Sequence, residues 1–511
     1  MEKSEAARVT GAHWASLRSK PELIVIEDDE IADADANDDI QEIKTRSVSP
    51  PHKKQRLPET NVKTETITSP ISLFSTELSN RQDNRDCLDF KDFVAHPDLV
   101  KTYQFNFMID IEFLFESLGR NLGKCEVCLV TSLKSLVMDA ELFTQLKVTT
   151  CDVKMARYGT HHTKMMINFF RDGTLQIVIH TANLTYAQFN YNAQTLWKSP
   201  ILKKRSETRS TNFKADLTRY LRSYHLEKMD ELSEILAEYD FSEISAEFIS
   251  SSPGDYVLDL DHPGETLSGY GKLYQVLNAN NLIPQDHQKH LKVVAQISTI
   301  ASPYELSRNI FLHLLAPMVN GSTFPLSDGA LAVFDSGKQD NYDAIVVFPT
   351  DEEVKNCASG ELAGAAILYQ PYPKYYNPNL EGHRKALKRA FHRWISKVET
   401  GREKFPPHCK TYCATDDDYA TLKWVLMTSS NLSKQAWGCP GKNLSPDSRV
   451  QKYKIQSFEA GVLLHSGQFG GLPLVPEYVS NTSNKNNSVP IRLPFSLPPV
   501  RYTAKDKPWC I

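Results

Sequence analysis

Residues 159–185 read GTHHTKMMINFFRDGTLQIVIHTANLT, and residues 407–433 read PHCKTYCATDDDYATLKWVLMTSSNLS. Both run His-x-Lys, a turn, an apolar strand, then Asn-Leu-Thr or Asn-Leu-Ser. His162, Lys164 and Asn183 fill the polar slots of the first segment, and His408, Lys410 and Asn431 those of the second. The asparagine follows the lysine by 19 and 21 positions respectively. A lone His-x-Lys recurs by chance. Two copies in the same order, with histidines 246 residues apart, point to a chain of two related halves, each supplying one set of groups.

The spacing has a physical meaning. On extended backbone, residues i and i+2 project to one side, so each histidine is expected beside its own lysine. Arg171-Asp172-Gly173 is a turn signal that lets the next strand return, carrying Asn183 toward the pair; Asp416–Asp418 lie in the matching loop of the second copy. Two ammonium groups and two carboxamides suit the non-bridging oxygens of a phosphodiester. Two imidazoles suit an in-line attack, one as nucleophile and one as general acid. No acidic cluster accompanies the motif, so two-metal catalysis is not indicated and no cofactor is expected.

Outward from the repeat, the chain has 511 residues, a formal net charge of −4, 41% hydrophobic and 23% charged residues. Of its 62 acids and 58 bases, 14 and 10 fall in residues 1–70, which leaves 48 of each in residues 71–511. Any contact with nucleic acid must therefore come from clustered charge. Residues 1–70 are polar, acidic and poor in aromatics, the composition of a disordered tail. From residue 71 apolar strand-like runs (CEVCLVT, LQIVIHT, AIVVF, KWVLMT, AGVLL) alternate with helical stretches over 110–118, 211–232, 305–315 and 382–398. Mixed order of this kind means an α/β or α+β architecture, divided between residues 71–260 and 261–511. The Gly/Pro-rich stretch at 250–271 marks the boundary.

Nine cysteines and no apolar leader in residues 1–22 predict reduced thiols in an intracellular protein, with no membrane span. Cys125 and Cys128 form one CxxC with no second pair to complete a zinc set, so packing thiols are expected and no metal. Within the tail, Leu23-Ile24-Val25-Ile26 with the acids that follow suits addition to a partner's sheet edge and resembles a SUMO-interacting motif. Val62-Lys63-Thr64-Glu65 resembles a SUMO acceptor, and Pro51-His52-Lys53-Lys54-Gln55-Arg56 is a basic cluster of the nuclear-import kind.

The motif pair resembles that of the phospholipase D superfamily and, within it, the tyrosyl-DNA phosphodiesterase branch. Most of the superfamily carries an aspartate shortly after His-x-Lys; Phe169 and Thr415 stand at the fifth position after each lysine here, and lack of the aspartate is a feature of that branch. Gly159 to Met166, His180 to Leu184, Asn431 to Gly438, Gln104 to Phe107 and Lys505 to Trp509 extend the likeness over residues 71–511. The resemblance implies an α/β fold of two pseudo-symmetric α-β-α phospholipase-D-like halves with the active site at their interface, and a nuclear DNA-repair phosphodiesterase that releases a topoisomerase I-derived tyrosyl peptide from a DNA 3′ phosphate. In it His162 is the nucleophile, His408 the acid and then base, and Lys164, Lys410, Asn183 and Asn431 the phosphate clamp. Gln194 and Glu459 are implied to orient the histidines.

The same resemblance places Tyr158 as a base-stacking aromatic, Ser359 as a DNA-backbone contact and Trp509 near the site. His161, facing away from Lys164 by alternation, reads as structural. Two basic stretches, 198–222 and 384–397, are candidates for phosphate contact, although the second reads more simply as the outer face of a buried helix. The expected partners are single- or double-stranded DNA 3′ ends carrying tyrosyl peptides, with SUMO contact through the tail, no membrane, and a monomeric state. The competing readings are a phospholipase or nuclease of the same superfamily and a non-catalytic scaffold that binds DNA ends. Action on 5′-phosphotyrosyl or other blocked ends is left open.

Overall fold

The computed structural model describes residues 69–132, 140–205, 210–264, 266–284, 291–301, 310–321, 343–369, 387–440, 449–478 and 488–510. The three tail motifs lie outside these residues.

The apolar runs form strands of two mixed sheets. The first holds β1 (Ile71–Leu73), β2 (Leu99–Phe105), β3 (Glu126–Thr131), β4 (Val148–Asp152), β5 (Met165–Phe170), β6 (Leu175–His180) and β7 (Thr195–Lys198). Their spatial order is β4-β3-β2-β5-β6-β7-β1. The second holds β8 (Glu247–Ser251), β9 (Lys292–Gln296), β10 (Asp343–Val347), β11 (Phe391–His392), β12 (Thr411–Thr415), β13 (Leu422–Thr428) and β14 (Glu459–His465), ordered β11-β10-β9-β12-β13-β14-β8, and two further strands, Leu474–Glu477 and Val489–Arg492, join it off this path through β13. Strand directions match position for position. In each sheet a central antiparallel hairpin, β5-β6 or β12-β13, is flanked on one side by an antiparallel strand that begins a parallel run. The fold is α/β, and the repeat seen in the sequence is a repeat of topology. β8 lies before residue 260 in the chain and pairs with β14 in the second sheet.

The strands read as unbroken apolar runs because both of their faces are covered. On β6, Ile177 and Ile179 point to one core and Val178 to another. On β13, Val425 and Met427 share the core of Ile177 and Ile179, while Trp424 and Leu426 face the opposite way. One continuous apolar cluster thus runs from the inner face of one sheet to that of the other, which sets the motif-bearing ends of both hairpins against the same seam.

Helices follow their caps. Asp110 Oδ1 accepts from Phe113 N–H at 3.1 Å to start Ile111–Leu118, which ends at Gly119 with φ +53°. The helix expected over 211–232 is two, Asn212–Arg222 and Glu227–Ala237, because His225 adopts φ +53° in the turn between them. Of the helix expected over 305–315, the described part, Ile310–Leu315, is helical. Of the helix expected over 382–398, described residues 387–390 are helical; the chain then leaves the helix, and Phe391–His392 pair as an edge strand with β10. Leu387, Phe391 and Trp394 are nonetheless buried, as their apolar character demands. Cys125 and Cys128 face different cores, Cys128 lying 3.5 Å from Cys151 Sγ. Among the described residues no cysteine is in a disulfide, no group of His, Cys, Asp or Glu is placed to hold a metal ion, and no helix is long and apolar enough to cross a membrane.

Candidate active site

Each His-x-Lys lies in the extended segment immediately before the first strand of its hairpin. Each asparagine lies three residues beyond the second strand, Asn183 after β6 and Asn431 after β13. The Thr or Ser that follows is a helix cap. Thr185 accepts from Gln188 N–H at the start of Tyr186–Tyr191, and Ser433 from Ala436 N–H at the start of Lys434–Trp437. The third letter of Asn-Leu-Ser/Thr is thus structural: it turns the chain into a helix and fixes where the asparagine points.

The two copies meet at the seam by exchanging partners. His162 N–H donates to Phe458 O at 2.9 Å, and His408 N–H donates to Ala193 O at 3.0 Å. Phe458 precedes Glu459 and Ala193 precedes Gln194, so each histidine segment is sewn to the other half beside its expected orienter. His162, Asn183 and His408 line one cavity of about 200 Å³ with Phe107, Met108, Gln188, Thr299 and Leu362. Lys164 and Lys410 are fully buried beside it. Lys164 Nζ donates to His162 O at 2.8 Å; Lys410 Nζ donates to His408 O at 2.6 Å and lies 3.2 Å from His408 Nε2. Asn431 Oδ1 accepts from Ser298 N, Ser298 Oγ and Thr299 N, which commits its oxygen and directs its NH₂ elsewhere.

The histidines differ in what stands behind them. His162 Nδ1 is 2.9 Å from Glu459 Oε2, across the seam. Burial alone would raise the Glu459 carboxyl, but the His162 ring, Lys164 and the Ser429 hydroxyl outweigh it and hold the group below its ordinary range. His408 Nδ1 instead faces the Thr181 carbonyl at 3.0 Å. Burial, then the charges of Lys410, Lys164 and His162, push His408 well below the usual imidazole value. One imidazole is therefore backed by a buried anion and the other by a neutral dipole among cations. Each Nδ1–H donated to such an acceptor leaves Nε2 as the unprotonated nitrogen of the neutral ring, which on His408 faces Lys410 Nζ.

Gln194 stands one bond further from its histidine than expected. Its Oε1 accepts from Thr181 Oγ1 at 2.8 Å and its amide donates to Gln188, while the Thr181 carbonyl meets His408. His161 faces away, between Asn106 O at 3.1 Å and Tyr224 OH at 2.9 Å. Tyr158 is 38% exposed under Arg157 and does not line the cavity. Nor does Ser359, which precedes the turn Gly360–Ala366; that turn brings Leu362, Ala365 and Ala366 to the wall. Trp509 holds the turn, its Nε1 donating to Gly364 O at 3.1 Å. Four bases of the loose stretch are engaged. Lys204 pairs with Glu238, Arg205 with Asp240 and Arg219 with Asp216, and Lys214 Nζ donates to the carbonyls of Ala237 and Tyr239. Phe107, 5.6 Å ring to ring from His162, Thr181 and Ser429 were not singled out from the sequence. The repeat contains the signal for the last two, since both stand two residues before the motif asparagine.

A family model described as tyrosyl-DNA phosphodiesterase matches residues 70–503. A probable tyrosyl-DNA phosphodiesterase of Schizosaccharomyces pombe is 27% identical over 541 residues, covering 91% of this chain and 96% of its own. Tyrosyl-DNA phosphodiesterase 1 of Drosophila melanogaster is 30% identical over 434 residues, covering 81% and 68%. Among solved structures, the yeast tyrosyl-DNA phosphodiesterase superposes with a TM-score of 0.68 at 24% identity, covering 86% of this chain and 99% of that one.

Proposed function

Since the chain belongs to the tyrosyl-DNA phosphodiesterase family, and is therefore a phosphodiesterase, we propose that it hydrolyses the bond between a DNA 3′ phosphate and the tyrosine of a topoisomerase I-derived peptide, through a phosphohistidine on His162. The observation that carries this reading is the unequal backing of two histidines on one cavity, Glu459 behind His162 and the Thr181 carbonyl behind His408. A carboxylate increases the electron density that its imidazole offers to phosphorus. A neutral carbonyl leaves its imidazole a readier proton donor.

In this mechanism Lys164, Lys410, Asn183 and Asn431 hold the non-bridging oxygens. His162 Nε2 attacks phosphorus as the phosphorus–tyrosine oxygen bond breaks, and His408 Nε2–H gives its proton to the departing phenolate. His408 Nε2 then takes a proton from water, the hydroxide attacks phosphorus, and the P–N bond to His162 breaks, leaving a 3′ phosphate. Two ammonium groups at the centre repel a divalent cation, so the chemistry rests on these side chains and the reaction proceeds in EDTA. In the ligand-free state Lys410 sits against His408 Nε2. A bound phosphodiester draws that lysine onto its own oxygen and lets His408 take up the proton it needs.

On this reading residues 1–70 are a tail, 71–260 and 261–511 the two halves, and the protein acts in the nucleus as a repair enzyme. Phe107, Met108 and Leu362 give the cavity an apolar wall suited to an aromatic leaving group. The test is a cleavage assay in EDTA on 3′- and 5′-phosphotyrosyl oligonucleotides and on phosphatidylcholine. The reading requires turnover of the 3′ substrate. Turnover of phosphatidylcholine alone would assign the site to lipid chemistry.

A further inference from the structure

Glu459 does not hold itself in place. Ser429 is fully buried on the segment between β13 and Asn431; its Oγ donates to Glu459 Oε2, the same oxygen that faces His162 Nδ1, and accepts from Ala460 N–H at 3.1 Å. The other half repeats this wiring. Thr181 Oγ1 donates to Gln194 Oε1 at 2.8 Å and accepts from Thr195 N–H at 3.0 Å. Each hydroxyl stands two residues before its motif asparagine and bonds the side chain of the orienter and the amide of the next residue. The repeat therefore contains a fourth slot, a hydroxyl, that fixes the rotamer of the orienter position; in the second half that residue, Glu459, touches the opposite histidine directly, and in the first half the Thr181 carbonyl does so instead.

We infer that Ser429 is a positioning residue for the covalent step, acting through Glu459 to hold the His162 ring with Nε2 aimed at phosphorus. This deepens the proposed function and rests on it. An oxygen that receives donors from both Ser429 and His162 Nδ1 has its direction set by two bonds rather than one, and the ionised carboxylate, which Lys164 and His162 favour, is the stronger acceptor for both. The remaining ionisable groups about Glu459 are Lys164, which favours the anion, and Tyr220, Tyr224, Tyr412 and His161, all held neutral by burial. Loss of the Ser429 hydroxyl frees the carboxylate to rotate and makes it more basic.

The experiment is single-turnover formation of the protein–DNA adduct with a 3′-phosphotyrosyl oligonucleotide, from pH 5 to 9. It compares Ser429→Ala, Ser429→Thr, Glu459→Gln and the Ser429→Ala/Glu459→Gln double variant, with His162→Ala as control. Ser429→Ala is expected to slow adduct formation about tenfold, the rate equivalent of one lost hydrogen bond to a charged group. KM and melting temperature should stay near wild type, and the acid limb should move to higher pH. Threonine, the residue of the matching slot, should recover most of the rate. The double variant should be about as slow as Glu459→Gln alone, because both act through one carboxylate. A wild-type rate and pH profile in Ser429→Ala would overturn the inference, as would additive losses in the double variant. Normal turnover by His162→Ala would instead overturn the mechanism on which it rests.

Discussion

His162 Nδ1 and Glu459 Oε2 lie 2.9 Å apart although 297 residues separate them, and the contact crosses from one half of the fold to the other. The nucleophile proposed for one copy of the motif is thus prepared by the other copy. On that proposal neither half works alone. Glu459→Gln keeps the shape and removes the charge. It should lower kcat for 3′-phosphotyrosyl cleavage about 10- to 100-fold with little change in KM, as loss of an imidazole-orienting carboxylate does elsewhere. Steady-state kinetics check this, and a change confined to KM would contradict it.

His408 stays neutral in the free site because burial, Lys410, Lys164 and His162 all oppose its charge. If the phosphodiester reverses that balance, binding takes up a proton and affinity must rise as pH falls. For His162→Ala with an uncleaved 3′-phosphotyrosyl oligonucleotide, the Kd from fluorescence anisotropy should weaken from pH 6 to pH 8, by up to about tenfold per unit. His408→Asn should flatten the profile. A flat profile with His408 present would contradict the assignment.

Gly159 marks how closely the halves approach. A Cβ there would lie 2.1 Å from Gln456 O, beside the 458–162 contact that fixes the His162 backbone. Gly159→Ala must push these segments apart, and small displacements at a reacting centre are costly. Cleavage should fall about tenfold or more while the protein remains folded by circular dichroism. Unchanged kcat would show that the seam tolerates the shift.

Buried neutral histidines give the fold a pH limit. Burial pushes His161 and His180 down to about 3, and His392, His408 and His465 are lowered too. The unfolded chain protonates these rings below about pH 6.5 and the folded chain does not, so stability is full above that pH and is lost as pH falls toward 3. Between pH 7 and 5, His161 and His180 together should cost roughly 4 kcal/mol. Depressed carboxylates such as Glu459 act only below their ordinary range, whereas burial pushes Glu353 up to about 7, so its protonation in the folded chain stabilises as pH falls and offsets part of the histidine loss. Urea-unfolding midpoints at the two pH values check this, and equal midpoints would refute it.

The motif residues were legible because each is a rare polar group at fixed spacing in an apolar frame. His162, Lys164 and Asn183 recur as His408, Lys410 and Asn431, and the strands behind them follow from hydrophobicity alone. The crossing of partners was not legible. That Glu459 serves His162 while the Thr181 carbonyl serves His408 depends on how two sheets dock, and no local pattern encodes docking. Gln194 shows the limit: its place matches that of Glu459, but its amide reaches His408 only through Thr181. The helix expected around residues 382–398 is present at 387–390 and ends earlier than its apolar spacing suggests, for a related reason. Apolar residues that serve as a buried edge strand at Phe391 can also match a helical period over a short window.

The central claim is that His162 bonds to phosphorus and His408 moves the protons. Its most direct test is His408→Asn incubated with a 3′-phosphotyrosyl oligonucleotide, run on a denaturing gel and digested for mass spectrometry. A DNA adduct should accumulate on the peptide that carries His162, formed at a reduced rate and released more slowly still. No adduct together with normal turnover, or an adduct on any other residue, would contradict the account.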